Sequence, residues 1–241
     1  MTGRERTRSR SSSTPRGGAR LGILLSGRGS NFLALHAAVE RGALPARIAL
    51  VLSNVPEAPG LARARELGLP TAAVPSRGAV SREAHEAEVG SALEAAGVEW
   101  ICLAGYMRLL SPGFVRRWPR RIVNVHPSLL PAFPSLDAQG QALAHGVKVS
   151  GCTVHLVDEG LDSGPIVAQE AVPVEDGDDR DRLAARILAA EHRLYPRALA
   201  RLLTERWEVR GRRLAFAGPA GGAAGPGELH DGGSGELHEG G

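Results

Sequence analysis

"LGILLSGRGSNFLALHAAVERG", Leu21 to Gly42, runs from an apolar stretch through a glycine turn into a helical pattern. The apolar run from Leu21 to Ser26 is continuous rather than alternating, as in a strand buried on both faces of a parallel sheet. Phe32, Leu35 and Val39 then recur at helical spacing until Gly42 stops the pattern. A buried strand joined to a helix by a tight turn is the unit from which α/β domains are assembled, and the rest of the chain repeats it.

Arg47 to Asn54 reads as a second buried strand, followed by a helix that Gly68 ends and a short strand at Thr71 to Val74. The next helix opens at Ser81, whose hydroxyl suits an N-cap, and runs to Gly97. Trp100 to Gly105 and Arg121 to Val125 are further strands, joined by a short helix with Pro112 near its start and Pro119 past its end. A short helix is expected over Gln139 to Ala144. Residues 151–157 and 164–172 read as strands whose short connection leaves no room for a parallel crossover, so an antiparallel pair is expected. A long helix spans Asp179 to Leu203, kinked or restarted at Pro196, and "WEVRGRRLAF" resembles a terminal hairpin. The pattern predicts an α/β fold: a doubly wound, mostly parallel open sheet with helices on both faces, one domain over residues 21–216. Ligands should then sit at the carboxyl ends of the strands.

The 241 residues suffice for one sizeable core, and 43% hydrophobic with 23% charged residues is ordinary for a globular chain. Of the net charge of +3, residues 1–20 hold +5 and residues 217–241 hold −4, which leaves +2 between them. That balance does not make a nucleic-acid surface. Both ends are expected to be disordered, the first basic and the second Gly-rich and acidic. His230 and His238 in the acidic end give no ligand geometry, and no metal is expected. No apolar run approaches the ~20 residues of a membrane span, and the Arg- and Ser-rich start lacks the apolar segment of a secretion signal. Cys102 and Cys152 each sit in an apolar stretch, as buried free thiols of a cytoplasmic protein would.

"SGRGSN", Ser26 to Asn31, follows the first strand and opens a helix, where unpaired backbone N–H groups and the positive end of the helix dipole attract an anion. Gly27 and Gly29 permit the turn, and Ser30 can cap the helix or donate a hydroxyl. A dinucleotide site would want a small residue in place of Phe32 and an acid in place of Ser53 or Asn54. A nucleoside-triphosphate loop would want a lysine after the turn. A site for one monophosphate remains.

In "NVHPSLLP", Asn124 to Pro131, strand alternation puts Asn124 and His126 on one face at the end of a strand, and the prolines stop the strand there. "DEGLDSGPI", Asp158 to Ile166, carries Asp162 in a Gly-flanked loop; an Asp of this kind orients an imidazole and favours its protonated form. These groups suit acyl transfer to an amine: Asn124 and His126 donate to the developing oxyanion, while His126 and Asp162 shuttle a proton.

Together "ILLSGRGSN", "VLSN", "SREA", "CLAGYMRLLSP", "NVHPSLLP", "GCTVHLVDEGLDSGPI" and "AQEAVPV" resemble, in order and spacing, the phosphoribosylglycinamide formyltransferase family, over about Leu21 to Leu203. The resemblance implies formyl transfer from 10-formyltetrahydrofolate, a co-substrate, to the amine of glycinamide ribonucleotide. It implies Gly29, Ser30 and Asn31 on the substrate phosphate, with Glu170 as a further contact, and Asn124, His126 and Asp162 as the catalytic group. Arg82, Met107, Arg108, Leu109, Leu110 and Asn124 match folate contacts, and Val157 to Asp162 would line the pterin pocket. A monomer or homodimer acting on small molecules alone is expected.

One stretch departs from that pattern. After "LLPAFP" the family continues Gly-x-His, and this chain has Ser135, Leu136, Asp137. Asp137 would repel a phosphorylated substrate, and Ser135 would be strained if the glycine takes positive φ. The alternatives are a 10-formyltetrahydrofolate deformylase, methionyl-tRNA formyltransferase, or a non-catalytic binder of sugar phosphate or folate. The first two families carry extra domains for which the polar ends of this chain are too short.

Overall fold

The computed structural model describes residues 18–76, 79–134 and 136–217. Ser135 and the two terminal stretches, 1–17 and 218–241, lie outside the described residues, and so do the expectations made for them.

The first half alternates strand and helix: β1 (Ala19–Leu25), α1 (Ser30–Glu40), β2 (Ala46–Ser53), α2 (Pro59–Glu66), β3 (Thr71–Ala73), α3 (Arg82–Ala95), β4 (Trp100–Leu103), α4 (Pro112–Arg117) and β5 (Ile122–His126). Then follow α5 (Ala138–Ala144), β6 (Val149–Leu156), β7 (Ile166–Pro173), α6 (Arg180–Thr204), β8 (Trp207–Arg210) and β9 (Arg213–Phe216). The nine strands described form one sheet in the order β3-β2-β1-β4-β5-β6-β7-β9-β8. Pairing is parallel from β3 through β5 and antiparallel at β5–β6 and β6–β7, as the short connection between β6 and β7 predicts. The strand order reverses between β1 and β4, which puts the turn after β1 and the segment after β4 on either side of the crevice where such sheets bind ligands.

Two aliphatic layers cover the sheet. Phe32 and Leu35 of α1 and Ile187, Leu194 and Leu199 of α6 bury one face; Val89 and Leu93 of α3 and Phe114 and Val115 of α4 bury the other. Two local expectations give way to packing. β1 starts at Ala19 rather than Leu21, because Ala19 and Arg20 continue the parallel ladder with Ala46 and Arg47. α6 does not restart at Pro196 but runs on as one helix. Pro196 is buried next to Tyr195, whose hydroxyl donates to the carbonyls of Leu103 (3.2 Å) and Val123 (2.9 Å), and this anchor holds the helix where its missing N–H would favour a break. The expected terminal hairpin forms, β8 antiparallel to β9, and it extends the sheet, since β9 lies parallel to β7 at Ile166 and Arg213. Among the described residues no helix is long and apolar enough to cross a membrane.

Candidate active site

The turn after β1 is built of backbone. Gly29 takes the left-handed conformation (φ 72°) as the N-cap of α1, and no side chain caps the helix. Ser30 is therefore the first helical residue and not the cap, because the cap position needs a φ that glycine adopts without cost. By contrast α3, α4, α5 and α6 are closed by Ser81, Ser111, Asp137 and Asp179. The N-terminus of α2 packs on this turn: the Gly60 N–H donates to the Gly27 carbonyl (3.0 Å), and a Cβ on Gly60 would lie 2.9 Å from that oxygen.

Asn31 lies in the first turn of α1 and is buried; its Nδ2 donates to Oε2 of Glu191 on α6 (2.7 Å). Its Oδ1 is buried with no hydrogen-bond partner among the described residues. Burial pushes the Glu191 carboxyl up to about 7, against a smaller lowering by the Asn31 hydrogen bond. Glu191 was missed by sequence reading. Its signal was a lone acid on the apolar face of α6, one helical turn from Ile187 and Leu194.

The ends of β5 and β6 are built of side chains. Asn124 stands opposite His155, and His126 opposite Thr153, in the antiparallel ladder, so all four share a face. Asn124 Nδ2 lies 3.2 Å from His155 Nε2, while His155 Nδ1 lies 3.1 Å from the Leu156 carbonyl. Burial lowers the His155 pKa and keeps the ring neutral. The carbonyl then fixes the proton on Nδ1, and Nε2 accepts from Asn124. The asparagine amide is thereby held with one N–H to spare. His155 too was missed; it becomes visible only when β6 is laid antiparallel to β5 in register.

His126 Nδ1 lies 3.4 Å from Asp162 Oδ2, and its Nε2 lies 2.9 Å from the Phe133 carbonyl. Asp162 Oδ1 also lies 3.7 Å from His155 Nε2, a polar contact and not an ion pair because that ring is neutral. Asp162 has φ of 48°, a conformation that costs energy in a non-glycine residue and recurs at active sites. The loop is held by Asp158, which accepts from the Gly160 N–H (3.1 Å) and the Ser163 hydroxyl (2.7 Å). Gly164 seats its end on β6, since a Cβ there would overlap the Leu156 carbonyl at 1.9 Å.

Thr153 fixes the segment after β5. It accepts from Leu130 N (3.0 Å) and Gln169 Nε2 (2.9 Å) and donates to the Ser128 carbonyl (2.7 Å). The predicted group Asn124, His126 and Asp162 is thus brought together. β5 is two strands from β1, so the imidazole lies about 10 Å across the sheet from the glycine turn.

Arg82 opens α3, and Met107 to Leu110 follow β4; Met107 and Leu109 are exposed, and Arg108 and Leu110 half-buried. Glu170 stands opposite Cys152 in the β6–β7 ladder, on the other face from Thr153 and Gln169. It pairs there with Arg193 (2.5 Å) and Arg197 (3.6 Å) of α6, away from His126. Asp137 has φ of 59°, caps α5 through Gly140 N (3.2 Å) and pairs with Arg180 (2.7 Å), so its charge is countered within the chain. Both cysteines are buried; loss of solvent pushes each thiol to about 12, so neither is a nucleophile at neutral pH.

Residues 19–199 match the formyl transferase family (Formyl_trans_N). The trifunctional purine biosynthetic protein adenosine-3 of Drosophila melanogaster is 50% identical over 186 residues, 76% of this chain and 14% of that relative. The chain therefore spans a small part of that longer protein. The phosphoribosylglycinamide formyltransferase of Bacillus subtilis (strain 168) is 40% identical over 181 residues, 75% of this chain and 93% of the relative. The crystal structure of glycinamide ribonucleotide transformylase 1 from Symbiobacterium toebii superposes with a TM-score of 0.82 at 45% identity, covering 86% of this chain and 99% of that one. With a strand-end Asn-His pair met by a loop Asp and the family's pattern running through most of its length, the chain belongs to the formyl transferase family.

Proposed function

We infer that the protein transfers the formyl group of 10-formyltetrahydrofolate to the amine of glycinamide ribonucleotide, a step of purine biosynthesis, in the cytoplasm. The observation that carries this reading is the convergence of Asn124, His126 and Asp162 about 10 Å along the sheet edge from an uncapped helix N-terminus. One end suits a monophosphate, the other an acyl transfer.

In this reading Gly29, Ser30 and Asn31 hold the substrate phosphate, with Glu170 as an additional substrate contact. Arg82, Met107, Arg108, Leu109, Leu110 and Asn124 hold the folate. The substrate amine attacks the formyl carbon, a C–N bond forms, and the carbonyl electron pair moves to oxygen. The Asn124 N–H left over from His155 donates to that oxyanion, and the His126 Nε2–H joins it by leaving the Phe133 carbonyl. Collapse breaks the bond between the formyl carbon and N10 of the folate. His126 and Asp162 pass the proton lost by the amine to N10, giving formylglycinamide ribonucleotide and tetrahydrofolate.

A spectrophotometric assay of 10-formyltetrahydrofolate consumption tests the reading. Consumption only when glycinamide ribonucleotide is present is expected. Equal consumption without it would make the protein a deformylase, and none under either condition would make it a binder.

A further inference from the structure

Glu86 is a buried carboxylate on α3 that the transfer chemistry does not use. Three donors from two separate segments converge on it. Arg82 Nε approaches Oε1 at 3.3 Å from the first turn of the same helix. Ser111 N donates to Oε1 at 2.7 Å, and the Ser111 hydroxyl donates to Oε2. Ser111 also caps α4, accepting from Phe114 N at 3.2 Å.

The segment ending at Ser111 is gripped at its other end as well. Met107 N donates to the Ser26 hydroxyl (2.8 Å), which itself donates to Asn54 Oδ1 (2.5 Å). Between these two anchors Met107 and Leu109 remain 69% and 63% exposed, far more than apolar side chains of this size usually are in a folded domain. The Met107–Leu110 stretch is thus held at both ends and open in its middle.

We propose that Glu86 is a positioning residue for the folate co-substrate: one buried carboxylate sets the Arg82 guanidinium and the Met107–Leu110 segment at a fixed distance from each other. Charge-assisted hydrogen bonds to a buried carboxylate are strong and directional, so this register is stiffer than either segment would be alone. A co-substrate that touches both segments then meets a preformed pair of contacts instead of having to order them on binding. The proposal rests on the folate reading of these segments and assigns Glu86 no contact with substrate or reacting atoms.

The experiment is steady-state kinetics of Glu86→Gln with each substrate varied in turn. The amide keeps the size of the side chain and removes the charge shared by Arg82 and Ser111. The KM for 10-formyltetrahydrofolate is expected to rise by about tenfold, the scale of one lost charge-assisted bond. The KM for glycinamide ribonucleotide and the saturating kcat should stay within about twofold, because the Asn124–His126–Asp162 group and the glycine turn are untouched. A variant damaged in its fold would lose both affinities or kcat together. Equal rises in the two KM values, or no rise in the folate KM, would overturn the proposal. If Glu86→Gln does not fold, Ser111→Gly removes the hydroxyl donor at little cost to the α4 cap, and the same selective but smaller rise is expected. An unchanged folate KM in that variant overturns the proposal equally. Wild-type protein that consumes no formyl-folate would instead sink the functional reading, and tetrahydrofolate binding followed by tryptophan fluorescence then tests the Glu86 proposal alone: tighter binding by wild type than by Glu86→Gln upholds it, equal binding overturns it.

Discussion

The turn after β1 presents peptide groups at the sheet edge, whereas the ends of β5 and β6 present an amide, two imidazoles and a carboxylate. The first is a local product of Gly27, Gly29 and a helix that starts without a cap. The second is assembled from three separate stretches of chain, residues 124–126, 153–155 and 162, joined by antiparallel pairing and one left-handed residue. A backbone site survives the loss of a side chain but not an intruding atom. A side-chain site fails in the opposite way. The two halves of the proposed site are therefore open to different substitutions.

The largest effect is expected in the side-chain half. His126→Ala removes the group that faces Asp162 at 3.4 Å and should lower kcat by roughly 10²- to 10⁴-fold, the usual scale of lost acid–base function. The KM for glycinamide ribonucleotide should barely move, since the glycine turn lies two strands away. Near-normal turnover in this variant would break the comparison at its strongest point.

That contrast also explains what the sequence made legible. A continuous apolar run, a glycine turn and a helical period are properties of neighbouring residues, so β1, the turn and α1 could be read directly. Asn124 and His126 could be placed on one face because strand alternation is local. The 3.4 Å approach of Asp162 could not, since it depends on β6 folding back along β5 and on a φ of 48° in the loop. His155, Glu191 and Glu86 escaped for the same reason: each matters through a partner between 25 and 160 residues away, Ser111, Asn124 and Asn31 among them. The family resemblance named the contacts but not what holds them. Asp137, a departure from the family pattern, reads differently once Arg180 is seen beside it. The continuity of α6 through Pro196 is a case where tertiary anchoring by Tyr195 outweighed a reliable local rule.

The backbone half has one side-chain dependence, and it sharpens the contrast through pH. Glu191, buried behind Asn31, has its carboxyl pushed from an ordinary 4.5 up to about 7 by loss of solvent. Below pH 4.5 it is protonated in the folded and unfolded chain alike, and its environment costs nothing. As pH rises toward 7 the unfolded chain releases the proton and the folded chain keeps it, so stability falls through that window and stays lower above it. The loss amounts to about 3 kcal/mol at full ionisation. Glu191→Gln keeps a neutral side chain at every pH and should erase this component. Urea denaturation of both proteins at about pH 5 and pH 8 measures it: wild type should lose about 2.5 kcal/mol relative to the variant on going to the higher pH. Parallel pH dependences would show that Glu191 is ionised in the fold without penalty.

The smallest effect tests the backbone half by addition instead of removal. Gly60 lets the start of α2 approach the turn, and a Cβ there would meet the Gly27 carbonyl at 2.9 Å, Leu25 Cδ2 at 3.0 Å and the Arg28 carbonyl at 3.1 Å. Two of these three are main-chain atoms that cannot swing aside, so the turn itself must shift by a few tenths of an ångström. N–H groups that converge on an anion lose strength quickly when misaligned. Gly60→Ala should raise the KM for glycinamide ribonucleotide by about fivefold to tenfold while kcat and the folate KM hold, the mirror image of His126→Ala. Ser30→Ala, which deletes a side chain from the same turn and leaves its backbone alone, should cost less than Gly60→Ala. If deletion at Ser30 proves the more damaging of the two, the phosphate is gripped by a hydroxyl and the turn belongs with the side-chain half after all.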